Sequence, residues 1–300
     1  MPHVVIVTLR DNAARGDACG GSGCGCGAAE PVRVPVLTCA DALRAGGATV
    51  ELVTACSDAE IDAATKPVEA GEARLIVAAA TDAELRGVVR RIVRRYAPPP
   101  SKRPAELPPG RTVFDLPALG VLPLTPGVPT LVRSLALPDD PVAVAAAVLA
   151  GRERRLDLLR HDGGSVTLHG CLLGGAVDGR PAPLRARIEC DDAVLSDGEE
   201  TVLACAIGNV GSSDVDGLPL LTGASATDGE VEVAVAVPLL RRRWLRPAEA
   251  QVEVRRARGR AMSVTPRDDE VRLVDDGVAL TLTRKRSWWT ERGAWAVYVT

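Results

Sequence analysis

The 300-residue chain predicts an α/β N-terminal domain followed by an all-β C-terminal domain, an antiparallel sandwich. Three observations carry that prediction. Through residue 150, short β-branched runs alternate with helical periodicity, the pattern of strand–helix–strand units. From about Gly151 the period drops to two, with short alternating segments between Gly, Asp and Pro turns and no room for crossover helices. Hydrophobic residues make up 46% of the chain but aromatic ones only 2%, so Val, Leu and Ala must build both cores. These patterns place the domains at 1–150 and 151–300.

Each element follows in order. Val4–Thr8 ("VVIVT") is a short buried strand, and Val36–Ala45 reads as a helix ending at Gly46 and Gly47, where a left-handed C-cap fits. Thr49–Thr54 alternates as a strand. Ser57 and Asp58 are N-cap types ahead of the next helix, which Pro67 should kink or end. Leu75–Ala80 is a strand and Asp82–Tyr96 a helix, with Leu85, Val88, Val89, Ile92 and Val93 on one face and Arg on the other. Ala97–Gly110 is a proline-rich surface loop. Leu119–Leu124 is a strand, and Pro141–Ala150 a helix with Pro in its first turn. The β half reads from "RLDLLRH" through "SVTLHGCLLG", "LRARIECD", "TVLACAIGN", "GEVEVAVAVP", "AQVEVRRA", "AMSVTP", "EVRLVDD" and "VALTLT". The closing "WAVYVT" is a strand that either half could accept.

Charge and composition exclude some classes. A formal net charge of −3 argues against a general nucleic-acid binder. The N-terminus "MPHVVIVTLRDN" lacks a charged region ahead of a long apolar run, and no segment reaches the roughly 18 apolar residues of a membrane span. The expectation is a cytoplasmic chain, peripheral at a membrane if its partner is lipid, with its eight Cys mostly reduced.

This order of elements resembles the diacylglycerol kinase catalytic family, the bacterial lipid kinases related to sphingosine kinases and, more distantly, NAD kinases. Two stretches carry the resemblance: "LGVLPLTPGVPTLVRSLALPDDPVAVAAAVLAGRERRLDL" from Leu119, and "LACAIGNVGSSDVDGLPLLTGASATDGEVEVAVAV" from Leu203. It covers nearly the whole chain as layout and spacing. It implies a nucleotide-binding-type α/β domain that uses ATP and Mg²⁺ to phosphorylate a lipid hydroxyl, with an Asp of the β domain accepting the proton. A lipid substrate or an anionic membrane surface is the implied partner, nucleic acid is not, and homo-oligomerisation stays open.

The family's phosphate loop, GGDGT, falls on "AAATD", Ala78–Asp82. Alanine at a positive φ costs about 1 kcal/mol or more, so glycine geometry should be strained here. Thr81 and Asp82 either keep part of the polar chemistry or cap the helix. The GTxN loop becomes "TPGVPT", Thr125–Thr130, where Thr125 and Gly127 are the remaining contacts and two prolines remove amide donors. Asp228 with Gly229 fits the family's "DG" turn. "VDDGV" puts Asp275, Asp276 and Gly277 where the family has "DGE", with Val278 replacing a carboxylate. These aspartates can accept a hydroxyl proton or hold Mg²⁺, or simply turn a hairpin.

"DACGGSGCGCG", Asp17–Gly27, occupies the family's Gly/Ser loop after the first strand. Three readings stay open. Gly20, Gly21, Ser22 and Gly23 offer backbone amides to an anion. Cys19, Cys24 and Cys26 offer thiolates to Zn²⁺ or another thiophilic metal, although C-x4-C-x-C is not the usual structural-zinc spacing. The third is a flexible loop with incidental Cys. His161, His169 and Cys171 read as core residues. "RRRWLRP" and "TRKRSWW" pair cations with Trp, either as an interfacial patch for anionic phospholipid or as a solvated edge. The function expected is a diacylglycerol-kinase-like lipid kinase with remodelled loops. Its alternative is a non-catalytic lipid-, nucleotide- or metal-binding protein on the same fold.

Overall fold

Apolar β-branched runs flanked by helices require burial on both faces, and parallel strands satisfy that. In the computed structural model, β1 (His3–Leu9), β2 (Thr49–Ala55), β3 (Ala73–Ala79) and β4 (Ala118–Pro123) pair in parallel in the order β2-β1-β3-β4. The structure describes residues 1–10, 33–98, 104–125, 127–177, 180–243 and 246–300, and of 176–181 and 240–250 the backbone at most. Two units emerge from the contacts. One contains Met1–Lys102, Phe114–Arg155 and Trp295–Thr300, and the other Arg103–Val113 and Leu156–Ala294.

In the first unit the helices are α1 (Val34–Ala45), α2 (Asp58–Glu69), α3 (Asp82–Tyr96), α4 (Thr130–Ser134) and α5 (Pro141–Ala150). Asp140 caps α5 by accepting the Val142 and Ala143 N–H groups, and Gly151 ends it at φ 70°. After α1 it is Gly47, at φ 83°, that takes the left-handed conformation. Pro67 does not end α2: it lies in the last turn, and Val68 and Glu69 remain helical. Its missing N–H removes a single bond there, while Val68 stays buried.

The core of this unit joins Val4, Ile6, Ile76 and Leu122 of the sheet to Leu43 of α1 and Val148 of α5. Gly120 allows that approach, since a Cβ at this position would stand 2.7 Å from the Val148 Cγ2. Arg74 donates to the Val148 carbonyl and, at 2.9 Å, to that of Leu149, placing a cation at the negative end of α5. The terminal segment of β20 (Arg286–Tyr298) completes the sheet, with Ala296 and Val297 parallel to Ala118 and Leu119. "WAVYVT" is thereby assigned.

The second unit contains no helix among the described residues. One antiparallel sheet runs β11 (Ala193–Asp197), β10 (Ala186–Cys190), β17 (Ala261–Pro266) and the start of β20, with β5 (Glu153–His161) and β6 (Ser165–Thr167) alongside. The other runs β16 (Arg246–Gly259), β15 (Val231–Arg243), β12 (Ala204–Gly208), β7 (Gly170–Gly174), β18 (Val271–Asp275) and β19 (Val278–Leu282). The short pair β8 (Ala176–Val177) and β9 (Arg180–Pro181) stands apart. Ile188, Met262, Val264 and Trp288 of the first sheet pack on Leu173, Ile207, Val233, Val235 and Leu273 of the second, which makes a sandwich.

The hairpin β13 (Gly211–Val215) and β14 (Leu218–Ala224) covers the other face of the second sheet. Its Leu220 and Leu221 pack on Ala204, Ala206, Ala234 and Ala236. Arginine side chains reach several β14 carbonyls: Arg256 donates to those of Leu220 and Pro219, and Arg258 to that of Gly223.

Candidate functional site

Open parallel sheets bind ligands beyond the carboxyl ends of their strands, where the strand order reverses. The chain here passes from β1 to β2 on one side and returns to β3 on the other, so the switch point lies between β1 and β3. "AAATD" leaves β3 at that place. Thr81 is the N-cap of α3, and its hydroxyl accepts the Glu84 N–H at 3.2 Å. The Glu84 carboxylate returns to accept the Ala80 N–H at 2.7 Å, one residue ahead of the N-cap, in a variant of the capping box. Glu84 is only 5% exposed. The same motif starts α2, where Ser57 accepts the Glu60 N–H and Glu60 accepts the Cys56 N–H.

Asp82 reaches a different helix. Its carboxylate accepts the Thr130 N–H at 3.2 Å, the Leu131 N–H at 3.1 Å and the Thr130 hydroxyl at 2.5 Å. Pro129, the N-cap of α4, makes no side-chain cap, and Asp82 supplies one across 48 residues. The anticipated alanine strain is absent, because Ala78, Ala79 and Ala80 all avoid positive φ. The turn has ordinary backbone geometry, so it needs no glycine. In the next loop the Val128 N–H bonds the Thr125 carbonyl at 3.1 Å around Gly127, which sits at φ 75°. Gly20, Gly21, Ser22 and Gly23, together with Cys19, Cys24 and Cys26, lie outside the described residues.

In the second unit Asp228 and the Asp275–Asp276 pair belong to separate turns. The Asp228 side chain accepts the Glu230 N–H at 2.9 Å and stands 3.9 Å from Arg258. Its neighbour Gly229, at φ 79°, donates its N–H to Asp157 at 2.6 Å, and Gly293 donates to the other Asp157 oxygen at 2.6 Å. Burial pushes the Asp157 carboxyl above its ordinary value, against the lowering effect of those two amides. The buried Asn209 amide ties the Asp157 and Leu168 carbonyls together at 2.9 and 2.8 Å.

Asp275 is fully buried. It accepts the Thr167 hydroxyl at 2.8 Å and stands 3.7 Å from the Nε2 of His161, whose Nδ1 accepts the Gly163 N–H. Asp276, at φ 47°, accepts the N–H groups of Leu168, His169 and Gly170 at 2.7, 2.9 and 3.0 Å. Its carboxylate thereby fastens the corner between β6 and β7. Sequence reasoning passed over Asp157, Asn209 and Thr167, whose partners are distant in the chain. Glu84 did carry a signal, since "TDAE" and "SDAE" share the T/S-x-x-E spacing of a capping box.

Burial pushes the Cys39 and Cys205 thiols up to about 12 and that of Cys190 to about 11. Among the described residues, no three or more His, Cys, Asp or Glu side chains gather as a metal site. No helix there is long and apolar enough to cross a membrane.

No family model matches this sequence, and no curated protein does. The fold does have relatives. A diacylglycerol kinase from Bacillus anthracis Sterne superposes with a TM-score of 0.62 at 12% identity, covering 99% of this chain and 96% of that one. An NAD kinase from Archaeoglobus fulgidus, solved in complex with ATP, superposes with a TM-score of 0.50 at 8% identity, covering 99% of this chain and 93% of that one. The chain has the fold of diacylglycerol-kinase-like lipid kinases, with NAD kinase a more distant likeness.

Proposed function

We propose that this chain is a diacylglycerol-kinase-like protein that has exchanged the phosphate cradle for internal carboxylate caps, and that it binds a diacylglycerol-type lipid without phosphorylating it. One observation carries the reading: Glu84 occupies the Ala80 amide just ahead of α3, Thr81 occupies the amide of Glu84, and Asp82 occupies the Thr130 and Leu131 amides that begin α4. A triphosphate arriving at the end of β3 finds those donors bonded and meets two carboxylates. Each like-charge approach at about 4 Å costs roughly 4 kcal/mol at an effective dielectric near 20. The residues present at this turn therefore do not fit the phosphates of ATP. Asp276 adds support, with three backbone amides on its carboxylate and Val278 where the family has an acid. The test is calorimetric titration of the natural protein with ATP and Mg²⁺, beside transfer of labelled phosphate to diacylglycerol. The expected result is neither binding nor transfer. Tight, Mg²⁺-dependent ATP binding overturns the reading.

A second reading rests on the place where the chain leaves β1. The segment carrying Gly20, Gly21, Ser22 and Gly23 starts at the switch point, where an anion cradle belongs. In that reading the protein is an active lipid kinase, with Thr125 and Gly127 beside the nucleotide. Gly21→Val then abolishes ATP binding, while Cys24→Ser with Cys26→Ser leaves it intact. Stoichiometric Zn in protein purified without added metal assigns Cys19, Cys24 and Cys26 to metal instead.

A further inference from the structure

In a parallel ladder each residue turns its N–H and C=O to the same side, and successive residues turn to opposite sides. The odd positions of β2 turn to β1: the Thr49 N–H bonds the Pro2 carbonyl at 3.0 Å, the Arg10 N–H bonds the Ala55 carbonyl at 3.1 Å, and the register between them is unbroken. Val50, Leu52 and Thr54 therefore direct their N–H and C=O groups away from the sheet. β2 ends the strand order, and no strand pairs with that side among the described residues.

Such an edge is a template for another strand, and proteins protect edges with Lys, Pro, bulges or a covering group. Elsewhere this chain does so. The pairing of β11 with β10 shifts register at Ile188 and Glu189, and Arg255 donates to the Leu195 carbonyl of β11 at 2.9 Å. Arg256 and Arg258 reach the carbonyls of β14 in the same way. β2 has seven residues with no Pro, Lys, Arg or bulge among them. Its single charge, Glu51, stands 3.5 Å from His3 of β1.

We propose that β2 pairs antiparallel with β2 of a second copy of this chain, across a two-fold axis at Leu52, so that two sheets join into one. Leu52 then faces Leu52 of the copy, and Val50 faces Thr54. All three carry outward amides, so each outward donor meets an acceptor. The layer above supplies apolar contact. Val50 and Leu52 pack on the core that holds Val36 and Leu43 of α1, while Val34 and Leu37 of the same helix are 74% and 42% exposed. With strands about 4.8 Å apart, the two α1 helices lie roughly 10 Å apart over the joined edge, a helix-packing distance. An unrelated strand satisfies the amides but brings no second α1 to cover Val34 and Leu37. The two-fold axis closes the contact, so the product is a dimer. Pairing involves neither nucleotide nor lipid, so its outcome is separate from that of the phosphate-cradle reading.

Sedimentation equilibrium of the full-length protein in reducing buffer should show a dimer that dissociates on dilution. Leu52→Lys sets two like charges opposite each other at the axis and should weaken association roughly tenfold or more. Thr54→Pro removes from each copy an N–H directed away from the sheet and should weaken it severalfold. Cysteine substitution reads the register. Leu52→Cys places two Cα atoms about 5.5 Å apart, within reach of a disulfide, whereas Val50→Cys faces Thr54 of the copy. Oxidation should link Leu52→Cys chains through that position and leave Val50→Cys chains unlinked at theirs, with the linkage assigned by peptide mass spectrometry. Circular dichroism checks folding, and Thr54→Pro with the two cysteine variants decides the matter if Leu52→Lys does not fold. A monomer at every concentration, association indifferent to these substitutions in folded protein, or linkage through Val50→Cys in place of Leu52→Cys overturns the proposal.

Discussion

Removing the Glu84 carboxylate tests the ground on which the phosphate-cradle reading stands. Glu84→Ala deletes a charge-assisted bond of 2.7 Å at a buried position and leaves the Ala80 N–H without its acceptor. Losing a bond to a charged group costs about 1.5–3 kcal/mol, and losing negative charge at a helix N-terminus about 0.3–1 more. Alanine returns a few tenths of a kcal/mol in helix propensity, roughly. The expected net loss is about 2–3 kcal/mol. Thr81→Ala, which removes only the acceptor for the Glu84 N–H, should cost about 1 kcal/mol. The two side chains hold each other's geometry, so the double variant should depart from additivity by about 0.5–1 kcal/mol. Urea unfolding followed by far-UV circular dichroism measures these values, with the slope compared between variants because two units can unfold separately. Hydrogen exchange in the first turn of α3 gives an independent local reading. A loss below about 0.5 kcal/mol for Glu84→Ala, with strict additivity, refutes the reasoning, since the Ala80 amide at the entry to α3 would then be available to an anion.

Three further perturbations have defined outcomes. Asp276→Ala strips the acceptor from three backbone amides at one corner and should destabilise the protein by about 3 kcal/mol or more, whereas Asp276→Asn, which tolerates φ 47° and keeps one acceptor, should lose less; urea midpoints compare them. Gly120→Ala drives a Cβ to 2.7 Å from Val148 and should cost about 1–3 kcal/mol through displacement of α5, read as a lowered thermal midpoint. Arg91 bonds Asp62 and Asp58 between α2 and α3, and its hydrogen bond holds the Asp62 carboxyl below the usual range. That stabilisation is present above the roughly 3.9 of an unfolded aspartate and is lost as pH falls through the lowered folded value, so the stability deficit of Arg91→Ala at neutral pH should shrink on acidification.

Much of the fold was legible because its signals are local. The helix Asp82–Tyr96 stands where its apolar spacing and Thr81 put it, and Pro141–Ala150 is bracketed by Asp140, Pro141 and Gly151 as caps and breakers require. The strand "AMSVTP" occupies Ala261–Pro266 without adjustment. Pro67 does not itself end the helix, which runs two residues further, because a proline in the last turn forfeits little while Val68 is buried. The candidate site was less legible. That Asp82 caps α4 depends on the placement of Thr130 beside it, and the partners of Asp157, Gly229 and Gly293, lie 72 and 136 residues away.

The sequence by itself determined the two architectures, since hydrophobic period and turn residues act over a few positions and need no partner. It also determined that the turn after β3 lacks glycine, although not that the turn would be free of the strain expected of alanine there. Only the tertiary structure decided what those amides bind and where the last strand goes. Parallel pairing of Ala296 with Ala118, and the meeting of Asp82 with the start of α4, join residues far apart in the chain. Their free energy comes from contacts that exist only once the sheet and helices have packed, so no local pattern announces them.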